Sequence, residues 1–210
     1  MMKAAIVGFG TISIVHIDAI ASNPGMELVA ICDINEELAA KVPAGVKFYT
    51  DYKKMCEEVK PDVVHNLLPH YLHYPVTKEL VEMGFNVFCE KPIDTEVAKI
   101  NEALAEVAKA GVKLQVGFVR RFDRSHKAVR DVVASGKLGK PYVVKVCSRD
   151  PAGPPMSYVA VSGGIFTDMM IHDFDMVRYL SGSDVTEVSA VGTVLTDPDY
   201  AKYDDVDTAI

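Results

Sequence analysis

Short apolar runs alternate with segments of helical periodicity through the first 120 residues of this 210-residue chain. The runs KAAIV and LVAIC show no polar alternation, which is typical of strands covered on both faces. Strands that alternate with helices in this way indicate parallel βαβ units and an α/β Rossmann fold with a doubly wound parallel sheet. The predicted strands are Lys3–Val7, Leu28–Cys32, Val46–Tyr49, Asp62–Leu68, Asn86–Cys89 and Lys113–Val116. The predicted helices are Thr11–Ser22, Asn35–Lys41, Tyr71–Met83 and Thr95–Ala110.

The pattern changes after residue 120. Longer, partly alternating apolar runs with fewer helices between them predict part of an α+β domain with an antiparallel open sheet. We therefore expect a Rossmann domain over residues 1–120 and a partial second domain over residues 121–210. The second part is predicted to contain helices at Asp123–Ser135 and Ile165–Leu180 and strands at Tyr142–Ser148, Val185–Leu195 and Asp207–Ile210.

The composition argues against two classes of partner. Hydrophobic residues make up 49% of the chain and charged residues 24%, which is the usual mixture for a globular protein. The net charge is -7 and no run is rich in Lys or Arg, so we expect no nucleic-acid partner. No apolar stretch approaches the roughly 18 residues that span a bilayer, so we expect no membrane segment.

The cysteines bear on the cellular compartment. Cys32, Cys56, Cys89 and Cys147 are far apart and form no CxxC pair. We expect all four to be buried free thiols in a reducing cytoplasm, and we expect no metal site. The N-terminal apolar run leads into a glycine turn instead of a small-residue cleavage site, so no signal peptide is predicted. The protein is therefore expected to be cytoplasmic.

The first chemical motif is a glycine-rich turn after the first predicted strand. Dinucleotide folds use one glycine, here Gly8, for a tight turn, and a second, here Gly10, so that backbone N–H groups can approach a pyrophosphate. Ser13 replaces the usual third glycine with another small residue. The helix that begins here offers its N-terminal N–H groups to phosphates. We expect a cofactor to contact the turn at Gly8, Phe9, Gly10, Thr11 and Ile12.

Asp33 strengthens this interpretation. It ends the second predicted strand, about 20 residues after Ser13, where an acidic residue binds the ribose hydroxyls of NAD. A carboxylate at this position accepts hydrogen bonds from a diol and repels a 2′-phosphate, so NAD is predicted instead of NADP. The alternative is a solvated Asp33 that caps the helix predicted from Asn35.

Two further motifs carry candidate catalytic groups. Glu90-Lys91-Pro92 follows the fifth predicted strand, at the sheet edge where open α/β sheets bind ligands, so Lys91 could meet both nicotinamide and substrate. Asp168 and His172 are four residues apart, and on one helix they would share a face. A histidine oriented by a carboxylate is suited to removing a hydroxyl proton. The alternatives are a solvated lysine and a core or capping histidine.

The other histidines have simpler interpretations. His70 and His73 could form a metal pair, but no third ligand lies nearby in the sequence. His65 is expected to be a hydrogen-bonded core histidine, and His16 and His126 are expected to be surface or packing residues.

Five segments form a combined signature: GFGTIS at 8–13, PHYLH at 69–73, EKP at 90–92, GFVRRFD at 117–123 and GGIFTDMMIHDFD at 163–175. Together they resemble the glucose-fructose oxidoreductase/inositol dehydrogenase (Gfo/Idh/MocA) family. The SRDP run at 148–151, ahead of a proline-rich loop, is most similar to the inositol 2-dehydrogenase branch. The resemblance covers the whole chain and implies an NAD-dependent oxidoreductase that acts on a CH–OH group of a polyol or sugar.

The resemblance also assigns roles to residues. It implies that Lys91 lies between nicotinamide and substrate and that His172 accepts the hydroxyl proton, with Asp168 completing the catalytic group. By family position, Pro69, His70, Glu90 and Arg120 would lie near the cofactor. Ser148 and Asp150 are two apart on a predicted strand end, so they would face one side and could bind ring hydroxyls.

Family members are longer than this chain, and their second domain is a large open sheet that usually carries an oligomer interface. We therefore expect that these residues are either a fragment of a longer protein or a chain that has lost the remainder. Two hypotheses follow. One is an NAD-dependent polyol dehydrogenase, with myo-inositol the best single substrate, another sugar dehydrogenase being the alternative enzyme. The other is a catalytically silent NAD-binding protein or sensor.

Overall fold

Six parallel strands form the central sheet of residues 1–117. The computed structural model describes residues 1–210 in two units, Met1–Gly117 and Phe118–Ile210. The strands of the first unit are β1 (Met2–Val7), β2 (Met26–Cys32), β3 (Lys47–Tyr49), β4 (Val63–Asn66), β5 (Asn86–Cys89) and β6 (Leu114–Val116). Their spatial order is β3-β2-β1-β4-β5-β6, so the direction of winding reverses between β1 and β4. In open parallel sheets, ligands bind outside the carboxyl ends of the strands at such a reversal.

Both faces of the sheet are covered, as the uniformly apolar runs predict. Alternate side chains of a strand point to opposite faces. Ala5 and Val7 of β1 accordingly belong to one buried cluster, whereas Ala4 and Ile6 belong to another. Burying a large apolar side chain stabilises the fold by roughly 1.5–3 kcal/mol, so the alternation holds β1 in the middle of the sheet. All six predicted strands are confirmed, and β4 ends at Asn66, two residues before the predicted end.

Four α-helices connect the strands of this unit. They are α1 (Thr11–Ala21), α2 (Tyr52–Val59), α3 (His73–Glu82) and α4 (Val97–Ala110). The short helix predicted over Asn35–Lys41 is present as a 3-10 helix over Glu36–Lys41.

The sequence analysis missed α2. Its eight residues give only about two turns, too few for a clear 3.6-residue period. The available signal was Asp51, whose Oδ1 accepts hydrogen bonds from the backbone N–H groups of Lys53 (2.8 Å) and Lys54 (3.2 Å). An aspartate in this position satisfies N–H groups that have no partner within the helix.

The second unit is an α+β arrangement with a small sheet. It contains α5 (Arg124–Ala134), α6 (Met156–Ser162), α7 (Gly164–Asp168), α8 (Ile171–Ser181), β7 (Gly192–Thr193) and β8 (Thr208–Ala209). The two strands pair antiparallel, with Gly192 opposite Ala209 and Thr193 opposite Thr208.

Two strand predictions for the second unit are wrong in extent. Tyr142–Ser148 forms no regular strand, and within Val185–Leu195 only Gly192–Thr193 does. Tyr142 and Val143 are 91% and 84% exposed, so these apolar side chains are not packed. Extended, β-branched sequence favours a strand but does not form one without a neighbouring backbone to pair with.

The prediction of one helix over Ile165–Leu180 is also wrong. The chain forms α7 and α8 with a break at Met169 and Met170, whose N–H groups both bond to the carbonyl of Ile165, at 3.1 and 2.8 Å. Asp168 is the last residue of α7 and His172 lies in the first turn of α8. The argument that both lie on one face of a continuous helix therefore fails.

The cysteine prediction holds for three of the four residues. Cys32, Cys56 and Cys89 are buried free thiols, whereas Cys147 is free but exposed, which corrects the expectation. Burial is the main cause that raises the pKa of Cys32 to about 12, so this thiol is unreactive at neutral pH.

None of the helices combines the length and the apolar character that a membrane-spanning helix needs.

An ion pair between the buried carboxylate of Asp175 and the exposed side chain of Arg121 joins α8 to the segment before α5. The Arg121 guanidinium donates through Nε and Nη2 to both oxygens of Asp175, at 2.6 to 3.0 Å. Asp175 is only 8% exposed. Its hydrogen bonds to the guanidinium are the main cause that raises the pKa of Arg121. A second pair, Arg178–Asp184 at 2.7 Å, is exposed.

We expect Arg121→Leu to lower the free energy of unfolding by about 2 to 4 kcal/mol, because Asp175 would be left buried without a counter-charge. The matched control, Arg178→Leu, should cost less than about 1 kcal/mol because its pair is exposed. Urea unfolding followed by circular dichroism measures both. Equal losses in the two variants would show that Asp175 does not depend on Arg121.

Candidate functional site

The glycine-rich turn lies at the carboxyl end of β1, where β1 pairs with β2 on one side and β4 on the other. Gly8 has φ +97°, and a Cβ there would lie 2.8 Å from the carbonyl carbon and oxygen of Leu67. Glycine is therefore required by the backbone and by the close approach of β4. In contrast, a Cβ at Gly10 would meet no atom within 4 Å, so the space beside it is open.

The start of α1 is suited to an anionic group. Gly10 is its N-cap residue and provides no side-chain cap, so backbone N–H groups of the first turn are left for another acceptor. Thr11 and Ile12 begin this 11-residue helix and are exposed. With open space beside Gly10, these groups fit the pyrophosphate of a dinucleotide.

Asp33 follows β2 and holds the turn in place. Its Oδ2 accepts a hydrogen bond from the Phe9 N–H (2.8 Å) and its Oδ1 from the Asn35 N–H (2.9 Å). Each carboxylate oxygen keeps a second lone pair that can accept from a ribose hydroxyl. The capping alternative is not borne out, because the N-cap of the following 3-10 helix is Asn35, whose side chain accepts from the Glu37 N–H, and in this segment Asp33 bonds only to the Asn35 N–H before the helix.

Glu90, immediately after β5, is the centre of a half-buried polar cluster. Its Oε1 lies 3.1 Å from Nε2 of His16, and the two side chains are each 12% exposed. Its Oε2 accepts from the Lys91 N–H at 3.3 Å. Burial raises the pKa of Glu90, but His16 and Lys91 together hold it below its usual value, so the carboxylate is charged at neutral pH.

His16 and His65 extend this cluster. Their Nδ1 atoms are 3.1 Å apart, and His65 stacks on Phe88 with ring centroids 5.1 Å apart. Burial, followed by His16, lowers the pKa of His65 to about 4, so its imidazole is neutral. The expectation of a hydrogen-bonded core histidine at His65 is confirmed. His16, expected at the surface or in packing, packs edge-on against His65 and Phe88 and also contacts Glu90. The contact with Glu90 joins α1 to the end of β5.

The GFVRRFD segment begins with Gly117 because the Glu90 carboxylate leaves no space there for a side chain. A Cβ at Gly117 would lie 2.9 Å from both carboxylate oxygens of Glu90. The Gly117 N–H donates to the carbonyl of Cys89 at 2.9 Å, which fixes the approach of β6 to β5. Any side chain at this position would displace Glu90 from its contacts.

The remaining site residues of the first unit are in two adjacent loops. Lys91 and Pro92 follow Glu90 and are joined by a cis peptide bond. Lys91 is partly buried, and Pro92 is buried. Pro69 and His70 follow β4, with His70 in a short 3-10 turn over His70–Leu72. Both loops leave the carboxyl edge of the sheet, as predicted for residues that contact a ligand.

In the second unit, Asp168 has a defined partner. The Tyr158 hydroxyl of α6 donates to Oδ1 of Asp168 at 2.8 Å. Burial and this carboxylate raise the pKa of Tyr158, so the phenol remains a donor at neutral pH. The sequence analysis missed Tyr158 because α6 was not predicted. His172 lies in α8, four residues along the chain from Asp168.

Arg120 and Ser148 meet at Asp173. The Ser148 hydroxyl donates to Oδ1 of Asp173 at 2.6 Å, and Nη1 of Arg120 donates to the same oxygen at 2.5 Å and to Ser148 Oγ at 3.2 Å. Arg120 is predicted near the cofactor and Ser148 at the substrate, and their shared contact with Asp173 was not predicted. Asp150 is exposed, two residues from Ser148.

Comparison with known protein families identifies both parts of the chain. Residues 2–118 match the family model of the Gfo/Idh/MocA oxidoreductases described as an NAD-binding Rossmann fold, and residues 126–210 match the model of the Gfo/Idh/MocA C-terminal domain. Together these models span most of the chain.

Individual relatives agree with the family models. A myo-inositol 2-dehydrogenase of Thermotoga maritima is 40% identical over 212 aligned positions, covering 100% of this chain and 64% of the relative. YrbE, an uncharacterized oxidoreductase of Bacillus subtilis, is 41% identical, covering 98% of this chain and 61% of its own length. The chain thus spans less than two thirds of the curated relatives that it matches.

A solved structure also has a closely similar fold. The crystal structure of a scyllo-inositol dehydrogenase from Lactobacillus casei with bound NAD(H) and scyllo-inositol superposes with a TM-score of 0.89 at 30% identity. The match covers 100% of this chain and 64% of that structure. The chain therefore belongs to the Gfo/Idh/MocA oxidoreductase family, with an NAD-binding Rossmann domain in residues 2–118 and the family's C-terminal domain in residues 126–210.

Proposed function

We propose that this chain carries out NAD-dependent oxidation of a secondary hydroxyl on a cyclic polyol or sugar, with myo-inositol and its 2-keto product the best single pair. The observation that carries the proposal is the turn at Gly8–Ile12, held by the Asp33 carboxylate at the switch point of the sheet. The names of the inositol dehydrogenase relatives support the substrate class.

The first unit supplies the groups that would hold the cofactor. The backbone N–H groups at the start of α1 bind the pyrophosphate, and Asp33 accepts hydrogen bonds from the adenosine ribose. Pro69, His70, Glu90 and Arg120 are proposed near the cofactor by their family positions. Bound NAD would supply the hydride acceptor for oxidation of the hydroxyl-bearing carbon.

The remaining groups bind the polyol and move its proton. His172 accepts the hydroxyl proton as the carbonyl forms, while Lys91 and Asp168 hold the reacting hydroxyl. Tyr158 orients Asp168 through its hydrogen bond. Ser148 and Asp150 bind other ring hydroxyls, and the contact of Ser148 with Asp173 fixes its oxygen as an acceptor.

The direct test is to incubate the chain with NAD and a panel of polyols and sugars headed by myo-inositol, and to follow NADH formation. NADH with one of these substrates is the expected result. NADH with a sugar but not with inositol would favour another sugar dehydrogenase. NAD binding without turnover on any substrate would favour the silent NAD-binding alternative.

We expect Asp33→Asn to reduce the preference for NAD over NADP by about 10- to 100-fold. The carboxylate accepts charge-assisted hydrogen bonds from the ribose diol and repels a 2′-phosphate, an effect of about 1.5–3 kcal/mol. Calorimetric titration of both cofactors against the unaltered and substituted chains measures this ratio. Comparable affinities for NAD and NADP in the unaltered chain would contradict the assignment.

We expect His172→Ala to lower kcat by about 10²- to 10⁴-fold, because a general base in this role contributes a factor of that size. The Kd for NAD should change little, since His172 is assigned to the substrate proton. The control is His126→Ala, a histidine at the start of α5 that contacts Asp123. Turnover unchanged in His172→Ala would remove His172 from the reaction.

A further inference from the structure

His73 contacts two different loops from a fully enclosed position. It is the first residue of α3 and is 2% exposed. Its ring Nδ1 lies 2.7 Å from the carbonyl oxygen of Pro92, and its Nε2 lies 2.6 Å from the carbonyl oxygen of Leu68. Both ring nitrogens thus contact backbone oxygens, and a single side chain spans the gap between the loops.

The two loops are those that carry proposed site residues. Leu68 lies directly before Pro69 and His70, and Pro92 lies directly after Lys91. The loops leave neighbouring strands, since Asn66 at the end of β4 is paired with Cys89 at the end of β5. His73 therefore adds a side-chain link beyond the point where the backbone ladder ends.

The side-chain amide of Asn66 holds the backbone of His73. The Asn66 side chain is fully buried, and its Nδ2 donates to the His73 carbonyl at 3.0 Å and to Thr77 Oγ1 at 3.1 Å. The backbone carbonyl of Asn66 in turn accepts a hydrogen bond from the backbone N–H of Glu90 at 3.1 Å. The position of the imidazole is thus set by the same residue that anchors the start of the Glu90-Lys91-Pro92 segment.

The proton requirement of these contacts is specific. Two carbonyl oxygens accept hydrogen bonds and donate none, so a neutral imidazole satisfies one of them and an imidazolium satisfies both. Burial, the largest influence, lowers the pKa of His73; the two carbonyls and Glu90 raise it, and His70 lowers it. The imidazolium therefore bonds both loops, whereas the neutral ring bonds one loop and only packs against the other.

We propose that His73 is a positioning residue that ties the Leu68–His70 loop to the Lys91–Pro92 segment and thereby sets the position of Lys91. The role in turnover rests on the proposed dehydrogenase function, but the tie between the loops can be tested without it. A core histidine that only fills space would stabilise α3 without a particular effect on these two loops.

The primary test is hydrogen–deuterium exchange of the full chain with His73→Gln, because glutamine presents one donor group and an oxygen in place of two ring nitrogens. We expect faster exchange in peptides that cover residues 67–72 and 88–94, and unchanged exchange in β1 and β2. The matched control is Val76→Ala, a buried residue of the same helix, in the core cluster on one face of the sheet. Unchanged exchange in both peptides, or the pattern of the control, would overturn the proposal.

A measurement on the unaltered chain covers the case in which His73→Gln does not fold. Histidine ring N–H protons usually exchange rapidly with water, whereas a ring N–H held by a buried carbonyl is protected. We expect a slowly exchanging ring N–H signal that shows nuclear Overhauser contacts to protons of Leu68 or Pro92, the residues whose carbonyl oxygens the ring nitrogens contact. A rapidly exchanging His73 ring would contradict the tie.

Kinetics separate the tie from the proposed function. With a substrate that is turned over, His73→Gln should lower kcat by about 10- to 100-fold while KM for NAD stays nearly unchanged, because displacement of a reacting group costs a factor of this size. Equal kcat values would overturn the positioning role. If no polyol or sugar is turned over by any variant, the proposed function fails, and the exchange and ring N–H experiments still decide the tie.

Discussion

The whole first unit depends on the parallel pairing of β1 with β2 on one side and β4 on the other. This pairing buries β1 on both faces and brings the carboxyl ends of three strands to one edge, where the order of the sheet reverses. Gly8 is the point at which this arrangement is tightest, because the backbone of Leu67 leaves no room for a side chain. The turn and the start of α1 follow directly from Gly8, and Asp33 bonds to the turn from the end of β2.

Polar groups at the same edge are held by side-chain pairs and by contacts with the backbone. Asn66 anchors His73 and the Glu90 backbone, and Gly117 leaves the space that Glu90 occupies. Buried polar groups of this kind are stable only when their partners are complete, since an unsatisfied group costs about 1–3 kcal/mol. Such a network limits the arrangements open to the loops, which is how a ligand site is preorganised.

Sequence reasoning succeeded where local pattern carries the information. The six strands of the first unit, the turn at Gly8 and the position of Asp33 follow from apolar runs and glycine spacing. It failed for α2, for the break between Asp168 and His172, and for the strand at Tyr142–Ser148. The start of α2 depends on the Asp51 side chain as its cap, and the helix break depends on two N–H groups that bond to the Ile165 carbonyl. Whether residues 142–148 form a strand depends on a second backbone with which to pair.

The sequence by itself determined the class of the first unit, its cofactor turn and the family to which the chain belongs, because these are encoded in residues that are close together along the chain. Only the tertiary structure decided that His16 meets Glu90, that Arg120 and Ser148 share Asp173, and that His73 spans two loops. Each of these contacts joins residues from different elements, and their distances depend on strand order and helix packing. No periodicity or spacing in the sequence specifies those distances.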